Sequence, residues 1–459
     1  MSISLSIIYL IATIAFILGL KKLGHPATAK NGNLIAASGM ALAIAATIFI
    51  HDLQIPISIY ILIGLALLTG SAIGGWMAVK VKMTKMPELV SLFNGFGGAS
   101  AALIGLVEFS KNVGDKMQAT TIVSGIIIGA ITFSGSLIAG GKLNGSIKSV
   151  VTIPRYNTIN NIFILAIIAF AVFTVSTGAS DQAIIFGLLG AGLVYGILFV
   201  LPIGGADMPV VISLLNSLTG IAAAITGILY SNMVMLVGGI LVGSAGIILT
   251  IAMCKGMNRT LGAVIFGAFG GTDSAAGTDK RLGSIKKTNP SDAAIMMNYA
   301  NSVIIVPGYG LAVAQAQHVI HELEELLTEK GVDVKYAIHP VAGRMPGHMN
   351  VLLAESNVDY SLLVEMEDIN SHFKNTDVVL VVGANDVVNP AAHNDPSSPI
   401  YGMPILDAEN AKHIIVNKRT MNAGYAGIEN ELFYNSKTVM LFGDAKDALT
   451  SLVSELKNM

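Results

Sequence analysis

The sequence predicts a multi-span α-helical membrane bundle of about nine helices, followed by a Rossmann-like α/β domain with a parallel sheet. Of its 459 residues, 53% are hydrophobic and 12% are charged, whereas about a quarter of the residues of a soluble protein are charged. Long uncharged runs fill the chain as far as Cys254. After Arg281, strand-like and helix-like segments alternate, as they do in a parallel α/β domain.

Nine segments are apolar over a length that can cross the hydrocarbon core, which takes about 20 residues as a helix. Helices are predicted rather than strands, because open strands leave backbone groups unpaired in lipid. The predicted spans are residues 3–20, 33–50, 57–79, 88–109, 119–141, 159–177, 182–201, 208–230 and 232–253.

Basic residues in alternate loops predict the orientation of these spans. The first, third and fifth loops carry Lys21, Lys22, Lys30, Lys80, Lys82, Lys85, Lys142, Lys148 and Arg155. Cytoplasmic loops carry an excess of lysine and arginine, so we place these loops in the cytoplasm. The N-terminus is then outside, and everything after the ninth span is cytoplasmic.

The sequence predicts three regions. They are a transmembrane domain over residues 1–258, a cytoplasmic linker or hinge over 259–289, and a nucleotide-binding domain over 290–459. The net charge is −2 and no basic patch is present, so a nucleic-acid partner is not predicted. A single cysteine excludes an internal disulfide framework.

Three polar side chains in or beside the spans are candidates for function, because polar groups are costly in a bilayer. Asn94 lies inside the fourth span, Asn216 lies inside the eighth, and Asp207 immediately precedes the eighth. Both asparagines could instead hold helices together through hydrogen bonds, and Asp207 could be a solvated loop carboxylate. The sequence leaves these alternatives open.

The cytoplasmic half contains five strand-like segments with helices between them. A buried run at 302–306 leads into a glycine turn and an amphipathic helix that ends near Lys330, with Gly331 as its stop. The other predicted elements are strands at 333–339, 377–382, 413–418 and 437–442 and helices near 347–356 and at 445–457.

The turn after the first strand, Gly308-x-Gly310-x-x-Val313, is spaced like a dinucleotide-binding turn, with valine in place of the third glycine. Glycines at such a turn let the backbone approach a pyrophosphate at a helix N-terminus. The alternative is an ordinary tight turn between a strand and a helix.

The ends of two other strands favour NADP over NAD. A carboxylate at the end of the second strand normally binds the ribose 2′-hydroxyl of NAD, whereas this strand ends in Ile-His-Pro at 338–340. An NADP site needs cations near the 2′-phosphate, and Lys418 and Arg419 end the fourth predicted strand. Alternatively, these two cations are a solvated strand end.

Glycine-rich loops supply further candidate contacts. The segment 424–427 has the composition of a mobile lid over a ligand, or of a structural turn. The segment 383–386 follows a strand, where α/β sheets place ligand contacts, and its Asp386 could titrate there or cap a helix. His339 and His348, on either side of the Arg344 loop, lack the spacing of metal ligands, so no metal is predicted.

Taken in order, these motifs resemble the proton-translocating transhydrogenase beta subunit family. The membrane half resembles it at Gly204-Gly205-Ala206-Asp207-Met208-Pro209-Val210-Val211, Asn216 and Met253-Cys254-Lys255-Gly256-Met257-Asn258-Arg259. The soluble half resembles it at Pro307-Gly308-Tyr309-Gly310, His339-Pro340-Val341-Ala342-Gly343-Arg344-Met345-Pro346-Gly347-His348, Gly383-Ala384-Asn385-Asp386, Lys418-Arg419 and Gly424-Tyr425-Ala426-Gly427. The resemblance runs nearly end to end, and so many motifs in one order are highly specific.

The resemblance implies hydride transfer between NADH, bound on a partner subunit, and NADP⁺, bound on this chain, driven by inward proton flow. It implies alpha subunits that carry the NAD(H)-binding domain and extra transmembrane helices, and a second copy of the complex. It also implies a multi-pass protein of the bacterial cytoplasmic (inner) membrane.

The resemblance further assigns roles to individual residues. It implies that Lys418 and Arg419 contact the 2′-phosphate, that Tyr425 belongs to the lid, and that Asp386 is the catalytic acid near the nicotinamide. The residues implied to couple proton transfer to the nucleotide domain are Asn94, Asp207 and Asn216. The other implied cofactor contacts are Gly308, Tyr309, Gly310, Val313, Arg344, Gly383, Ala384, Asn385, Gly424, Ala426, Gly427, Gly443 and Asp444.

Asn94 departs from the family pattern, because many relatives have a proton-carrying histidine at this position. An amide does not change charge between pH 5 and 8, whereas histidine does. We therefore expect a helix of the partner subunit to supply the titratable group, as in some split-gene relatives. His51, at the outer end of the second span, is a weaker candidate.

Two other functions share parts of this pattern. An ion transporter gated by a cytoplasmic nucleotide-sensing domain would combine the same two halves, but it would show ion flux without redox chemistry. A membrane reductase with flavin or haem is disfavoured, because the sequence has no mid-membrane histidine pairs and no CxxCH motif.

Overall fold

The computed structural model divides the chain into two compact units. It describes residues 3–50, 55–111, 115–147, 155–178, 181–204, 207–258, 260–262, 284–345, 347–424 and 426–459. One unit comprises Met1–Ile203 with Val211–Ile248, and the other comprises Gly204–Val210 with Leu249–Met459. Most of the predicted linker lies outside the described residues, as do His51 and Tyr425.

Nine helices in the described part of the chain are long and apolar enough to cross a membrane, which confirms the nine predicted spans. They are α1 (Ile3–Leu23), α2 (Pro26–Phe49), α3 (Ile57–Lys80), α4 (Met86–Phe109), α5 (Lys116–Leu143), α6 (Tyr156–Thr177), α7 (Gln182–Val200), α8 (Met208–Leu229) and α9 (Met233–Gly256). Their ends agree with the predicted ends to within about two helical turns.

Glycines allow neighbouring spans to pack closely, as small residues commonly do in membrane helices. A Cβ atom added to Gly98 on α4 would lie 2.8 Å from the carbonyl oxygen of Gly129 on α5. A Cβ atom added to Gly239 on α9 would lie 2.7 Å from the carbonyl oxygen of Gly220 on α8. Larger residues at these positions would therefore push the helices apart.

The second unit contains a six-stranded parallel sheet in the order β3-β2-β1-β4-β5-β6, which confirms the predicted α/β fold. The strands are β1 (Ser302–Pro307), β2 (Asp333–Ile338), β3 (Leu363–Glu365), β4 (Val378–Val382), β5 (His413–Lys418) and β6 (Thr438–Phe442). The helices are α10 (Pro290–Asn298), α11 (Tyr309–Val313), α12 (Gln317–Glu329), α13 (His348–Glu355), α14 (Met366–Ile369), α15 (Ala391–Asn394) and α16 (Ala445–Lys457). The sequence predicts all the strands except the short edge strand β3.

The central strands β1 and β4 are apolar along their whole length because both faces of the sheet are covered. Every residue of β4 is buried, and so is every residue of β1 except Ser302. One hydrophobic core contains Ile304, Val306, Val379 and Val381 of these strands. The arrangement fixes the ends of β1 and β4 next to each other.

The amphipathic helix predicted to follow the glycine turn and to end near Lys330 is confirmed as α12, and the short helix α11 precedes it. α11 is only five residues long, and α12 begins at Gln317. Between them, Gln315 has a φ of 52°, a left-handed conformation that a regular helix does not accommodate. Gly331, with a φ of 87°, follows α12 and stops it as predicted.

Candidate functional site

The carboxyl ends of the six parallel strands meet at one edge of the sheet, and the strand order reverses there. From β1 the chain adds β2 and β3 on one side, and it then returns to add β4 on the other side of β1. In open α/β sheets, ligands bind outside the carboxyl ends of the strands at such a switch point. The ends of β1 and β4 therefore define the candidate site.

Two glycine turns occupy the switch point in direct contact. The Gly308 amide donates to the Val382 carbonyl at 2.9 Å, and the Gly310 amide donates to the Gly383 carbonyl at 3.0 Å. A Cβ atom on Gly308 would lie 2.5 Å from the Ala384 backbone nitrogen, and one on Gly310 would lie 2.6 Å from the Gly383 Cα. These glycines are therefore required by the contact of two backbones, independently of any phosphate beside them.

Tyr309 connects the first glycine turn to the loop after β2. The Arg344 guanidinium carbon lies 4.4 Å from the centre of the Tyr309 ring, a cation–π distance. The Tyr309 and His348 ring centroids are 6.0 Å apart, and the Arg344 amide donates to His348 Nδ1 at 2.9 Å. The structure thus brings Arg344 to the β1 turn, while Val313, at the end of α11, is 42% exposed.

His339 and His348 are buried, and their burial predicts a pH dependence of stability. Burial lowers the pKa of each to about 4, whereas histidine in an unfolded chain has a pKa of about 6.5. Between these two values the unfolded chain binds more protons than the folded chain. The free energy of unfolding should therefore fall as the pH drops from about 6.5 to 4, by about 3 kcal/mol for each histidine.

Thermal unfolding of the purified chain at pH 7.5 and at pH 5 measures this loss. The variant His339→Gln, which cannot be protonated in this range, should show a smaller difference between the two melting temperatures. A difference as large as that of the unsubstituted chain would assign the pH dependence to other groups.

Two cations end β5 at the same edge of the sheet. The half-buried Lys418 donates to the Asn422 carbonyl, and its ammonium nitrogen lies 4.9 Å from the centre of the Phe433 ring. Burial lowers the pKa of Lys418, and the nearby Asp386 carboxylate acts in the opposite direction. Arg419 is exposed, so its guanidinium is accessible to a ligand.

Asn385 and Asp386 contact the segment predicted to be a lid. Asp386 Oδ2 accepts a hydrogen bond from the Ala426 amide at 3.0 Å, and a Cβ atom on Gly424 would lie 2.5 Å from Asp386 Oδ1. With its amide oxygen turned towards this segment, Asn385 accepts from the Gly424 amide at 2.7 Å and from Lys418 Nζ at 3.3 Å. Asp386 therefore contacts a segment that lies 40 residues further along the sequence.

Gly427, Gly443 and Asp444 shape the turns around these groups. The Gly427 amide donates to the Gly424 carbonyl at 3.2 Å, and the Gly443 amide donates to the Lys418 carbonyl at 3.2 Å. Asp444 Oδ1 accepts from the Lys446 amide at 3.1 Å and caps α16. The structure thus gives these three residues roles in holding the backbone of the site.

The groups at this edge fit NADP(H) better than NAD(H). At the end of β2, His339 Nε2 donates to the Pro404 carbonyl at 2.8 Å, and His339 Nδ1 accepts from the Val341 amide at 3.2 Å. Both ring nitrogens are therefore occupied within the protein, and the residues that end the strand, 338–340, do not include the carboxylate that normally binds a ribose 2′-hydroxyl. A 2′-phosphate, in contrast, would find two cationic donors at the end of β5.

In the membrane part of the chain, Asn94 is buried against α5. Its side-chain amide donates to Ser136 Oγ at 3.1 Å, and Ser91 Oγ donates to the Ser136 carbonyl at 2.8 Å. Thr219 Oγ1 on α8 donates to the Asn94 carbonyl at 3.4 Å. Asn94 therefore joins three helices by hydrogen bonds, as the interhelical alternative expects.

Asn216 and Asp207 are both half buried. On either side of Asn216, Ser213 Oγ donates to the Gly246 carbonyl at 3.2 Å and Ser217 Oγ donates to the Gly243 carbonyl at 2.8 Å. Asn216 thus lies on the part of α8 that is hydrogen-bonded to α9. The structure does not bring Asn94 and Asn216 into a described hydrogen bond.

A cavity beside α4 is a feature that the sequence does not predict. It has a volume of about 290 Å³ between α3, α4 and α5, and its polar lining includes Lys85, Glu88, Ser136 and Asn144. This space is large enough for several water molecules. Ser136 is also the hydrogen-bond partner of Asn94, so the cavity extends to the hydrogen bond between these two side chains. The signal in the sequence is Ser136 itself, a polar residue within a predicted span.

Lys142 is predicted to lie in the fifth loop, but it lies in the last turn of α5 and is bound to the end of another helix. Its ammonium group donates to the carbonyls of Val200, Leu201 and Ile203, at 3.2 Å for Val200 and 2.8 Å for Ile203. Carbonyls at a helix C-terminus lack intrahelical partners, and a cation there is favourable. Lys142 therefore fixes the end of α7 to the end of α5.

Comparison with known proteins identifies the family. The family described as NAD(P) transhydrogenase beta subunit matches residues 5–455 of the chain. The chain belongs to this family. Two curated relatives, both named NAD(P) transhydrogenase subunit beta and both from Rhodospirillum rubrum, are each 47% identical to the chain over 460 residues, which is 98% of the chain and 98% of the relative.

Membership of the NAD(P) transhydrogenase beta subunit family confirms the resemblance found in the motifs. It makes the chain a subunit of a membrane oxidoreductase that works with an alpha subunit. It also accounts for the two halves of the chain, a set of membrane-capable helices and a Rossmann-like domain.

Proposed function

We propose that this chain is the NADP(H)-binding subunit of a proton-translocating transhydrogenase. Its nucleotide exchanges a hydride with NAD(H) held by the alpha subunit, and inward proton transfer through the membrane helices drives the reduction of NADP⁺ by NADH. The N-terminus lies outside a bacterial cytoplasmic membrane and the nucleotide domain lies inside. The working complex contains additional transmembrane helices from the alpha subunit and a second copy of the assembly.

The observation that carries the proposal is the pair of cations at the end of β5, combined with a second strand that ends in Ile-His-Pro instead of in a carboxylate. Lys418 and Arg419 can bind the 2′-phosphate by charge-assisted hydrogen bonds. His339, at the end of β2, uses both ring nitrogens inside the protein. The site is therefore built for the nucleotide that carries the extra phosphate.

Bound NADP(H) supplies the hydride chemistry, and the residues of this chain position and enclose it. The bond between the Asp386 carboxylate and the Ala426 amide ties the lid to the β4 turn. Breaking this bond would free the segment that contains Tyr425 and open the site for exchange of the nucleotide. A change in the charge of Asp386 would therefore change the strength of the bond that holds the lid.

Coupling requires that two states of the chain differ in proton affinity, and Asn94 cannot supply this difference. Its side chain is 7% exposed, and Asn94 Oδ1 has no hydrogen-bond partner among the described residues. A buried acceptor without a donor costs about 1–3 kcal/mol. A titratable donor on an alpha-subunit helix would satisfy this oxygen and supply the missing proton carrier.

Replacing Asn94 with leucine should reduce the proton-coupled rate only a few-fold and leave NADPH binding unchanged. Leucine removes the hydrogen bond to Ser136, which is worth about 1 kcal/mol in a membrane interior, but it removes no titratable group. Hydride transfer under a proton gradient and NADPH titration measure the two effects. Loss of NADPH binding would contradict the assignment of Asn94 to the proton path.

Co-expression with the neighbouring gene products, to supply the alpha subunit, tests the proposed function. Vesicles containing the complex would be assayed for hydride transfer between NADPH and an NAD analogue, with and without a proton gradient. We expect an inward gradient to accelerate NADPH formation and its collapse to remove the acceleration. Rates that do not respond to the gradient would exclude proton coupling.

A further inference from the structure

Within the nine membrane helices described here, acidic residues occur only on α4, on either side of Asn94. Glu88 lines the cavity near one end of α4. Glu108 lies fourteen residues beyond Asn94, a rise of about 21 Å along the helix. Ionisable residues are costly in membrane helices and commonly mark ion or proton pathways. Both carboxylates are therefore candidates for the path that passes Asn94.

Glu108 is held by two donors at the end of α4. The Tyr230 hydroxyl donates to Glu108 Oε1 at 3.0 Å, and Lys111 Nζ donates to the same oxygen at 2.7 Å. The side chain of Glu108 is 12% exposed, whereas that of Lys111 is 63% exposed. The carboxylate is thus largely shielded, but its partner cation lies in solvent. A proton from water can reach this position without crossing the apolar interior.

The contact between α4 and α8 continues from Glu108 back to the level of Asn94. A Cβ atom on Gly97 would lie 2.8 Å from Thr219 Cγ2, and the next contact joins Glu108 to Tyr230. The two contacts are eleven residues apart on both helices, so α4 and α8 run in the same direction in a constant register. About 16 Å of the two helices face each other in this way.

Polar groups of α8 follow this contact. Asn216, Thr219, Thr226 and Tyr230 fall within an arc of about 80° around α8 and the residue that follows it, at about 100° per residue. Thr226 is buried, and its hydroxyl donates to the Ala222 carbonyl at 2.9 Å. Hydroxyl groups both donate and accept hydrogen bonds. The hydroxyl groups of Thr219, Thr226 and Tyr230 therefore lie along one face of α8 between the levels of Asn94 and Glu108.

We propose that Glu108 is the outward-facing proton acceptor of the translocation path, and that the α4–α8 contact carries the proton on to the level of Asn94. This inference rests on the proton coupling in the proposed function, and in the proposed orientation this end of α4 faces outwards. A proton from outer water forms an O–H bond on the Glu108 carboxylate. The carboxyl group is then neutral, and its ion pair with Lys111 is lost. The same number of protons leaves through the Glu88 cavity to inner water.

Glu108→Gln is the most direct test. Glutamine keeps the size of the side chain and can still accept from Tyr230 and Lys111, but it cannot hold a proton. Gradient-driven NADPH formation should fall about tenfold or more, while the NADPH affinity of the assembled complex stays unchanged. Glu108→Asp, which keeps a carboxylate, should recover part of the rate.

Asp115→Asn is the matched control, because Asp115 is an exposed carboxylate immediately before α5 on the same side of the membrane in the proposed orientation. This variant should keep the rate of the unsubstituted complex. Tyr230→Phe keeps the ring but removes the hydroxyl, and it should lower the coupled rate about threefold without affecting NADPH binding.

Two results would overturn the inference. The first is a coupled rate of Glu108→Gln equal to that of the unsubstituted complex. The second is a loss of NADPH affinity in parallel with the coupled rate, which would make Glu108 a structural residue. Unchanged coupling in both Glu108→Gln and Tyr230→Phe would exclude the α4–α8 path altogether. A failure of the proposed function looks different, because the unsubstituted complex would then show no response to the gradient.

Discussion

Replacing Arg419 with alanine should weaken NADPH binding about 10- to 100-fold and leave NADH binding unchanged. A hydrogen bond to a charged group is worth about 1.5–3 kcal/mol, and the 2′-phosphate is the group that distinguishes the two nucleotides. Arg419 is exposed at the end of β5, so we expect its removal to leave the fold intact. Titration of the purified full-length chain, without the alpha subunit and its own NAD(H) site, measures both affinities.

Lys374→Ala is the matched control for Arg419→Ala. Lys374 is also exposed, but it precedes β4 and so lies at the opposite edge of the parallel sheet. Its removal lowers the net charge by the same amount and should leave both affinities unchanged. If the two variants weaken NADPH binding equally, the site responds to overall charge and does not recognise the 2′-phosphate.

Replacing Gly308 with alanine should abolish NADPH binding and destabilise the nucleotide domain by about 3 kcal/mol. The added Cβ atom would lie 2.5 Å from both the nitrogen and the Cα of Ala384. These are backbone atoms of the β4 turn, so they cannot move aside as a flexible side chain can. The β1 and β4 turns would separate, and the switch point between them would lose its shape. Thermal unfolding and NADPH titration of the variant measure the two losses.

Gly331→Ala separates this clash from the general effect of replacing a glycine. Gly331 has a φ of 87°, and no atom lies within 4 Å of an added Cβ, so only the backbone conformation is penalised. We expect a loss of about 1 kcal/mol in stability and no change in NADPH affinity. Near-normal stability and binding of Gly308→Ala would show that the close contact of the two turns is not needed.

Hydropathy and periodicity are sufficient to predict most of the fold. The nine spans are predictable because a bilayer requires about 20 apolar residues in each helix. The central strands are predictable because parallel strands covered on both faces are continuous apolar runs. The break between α11 and α12 is not, since it depends on Gln315 adopting a left-handed conformation in its tertiary setting. β3 is too short, at three residues, to show a pattern.

The candidate site is predictable only in part, because its contacts join distant segments. The motifs around Gly308, Asp386 and Lys418 each follow a strand, and their position at one edge of the sheet follows from parallel strands. The contact of Asp386 with Ala426 across 40 residues is set by the fold and leaves no local signal. The same holds for the bond between Asn94 and Ser136, which lie on different helices.

The choice of NADP(H) over NAD(H) by this chain is tested most directly by titrating the unsubstituted, purified full-length chain with NADPH and with NADH under identical conditions. Because Lys418 and Arg419 lie at the end of β5 and the residues that end β2, 338–340, include no carboxylate, we expect NADPH to bind about 100-fold more tightly or better. Equal affinities for the two nucleotides, or no binding of either, would contradict a site organised around the 2′-phosphate.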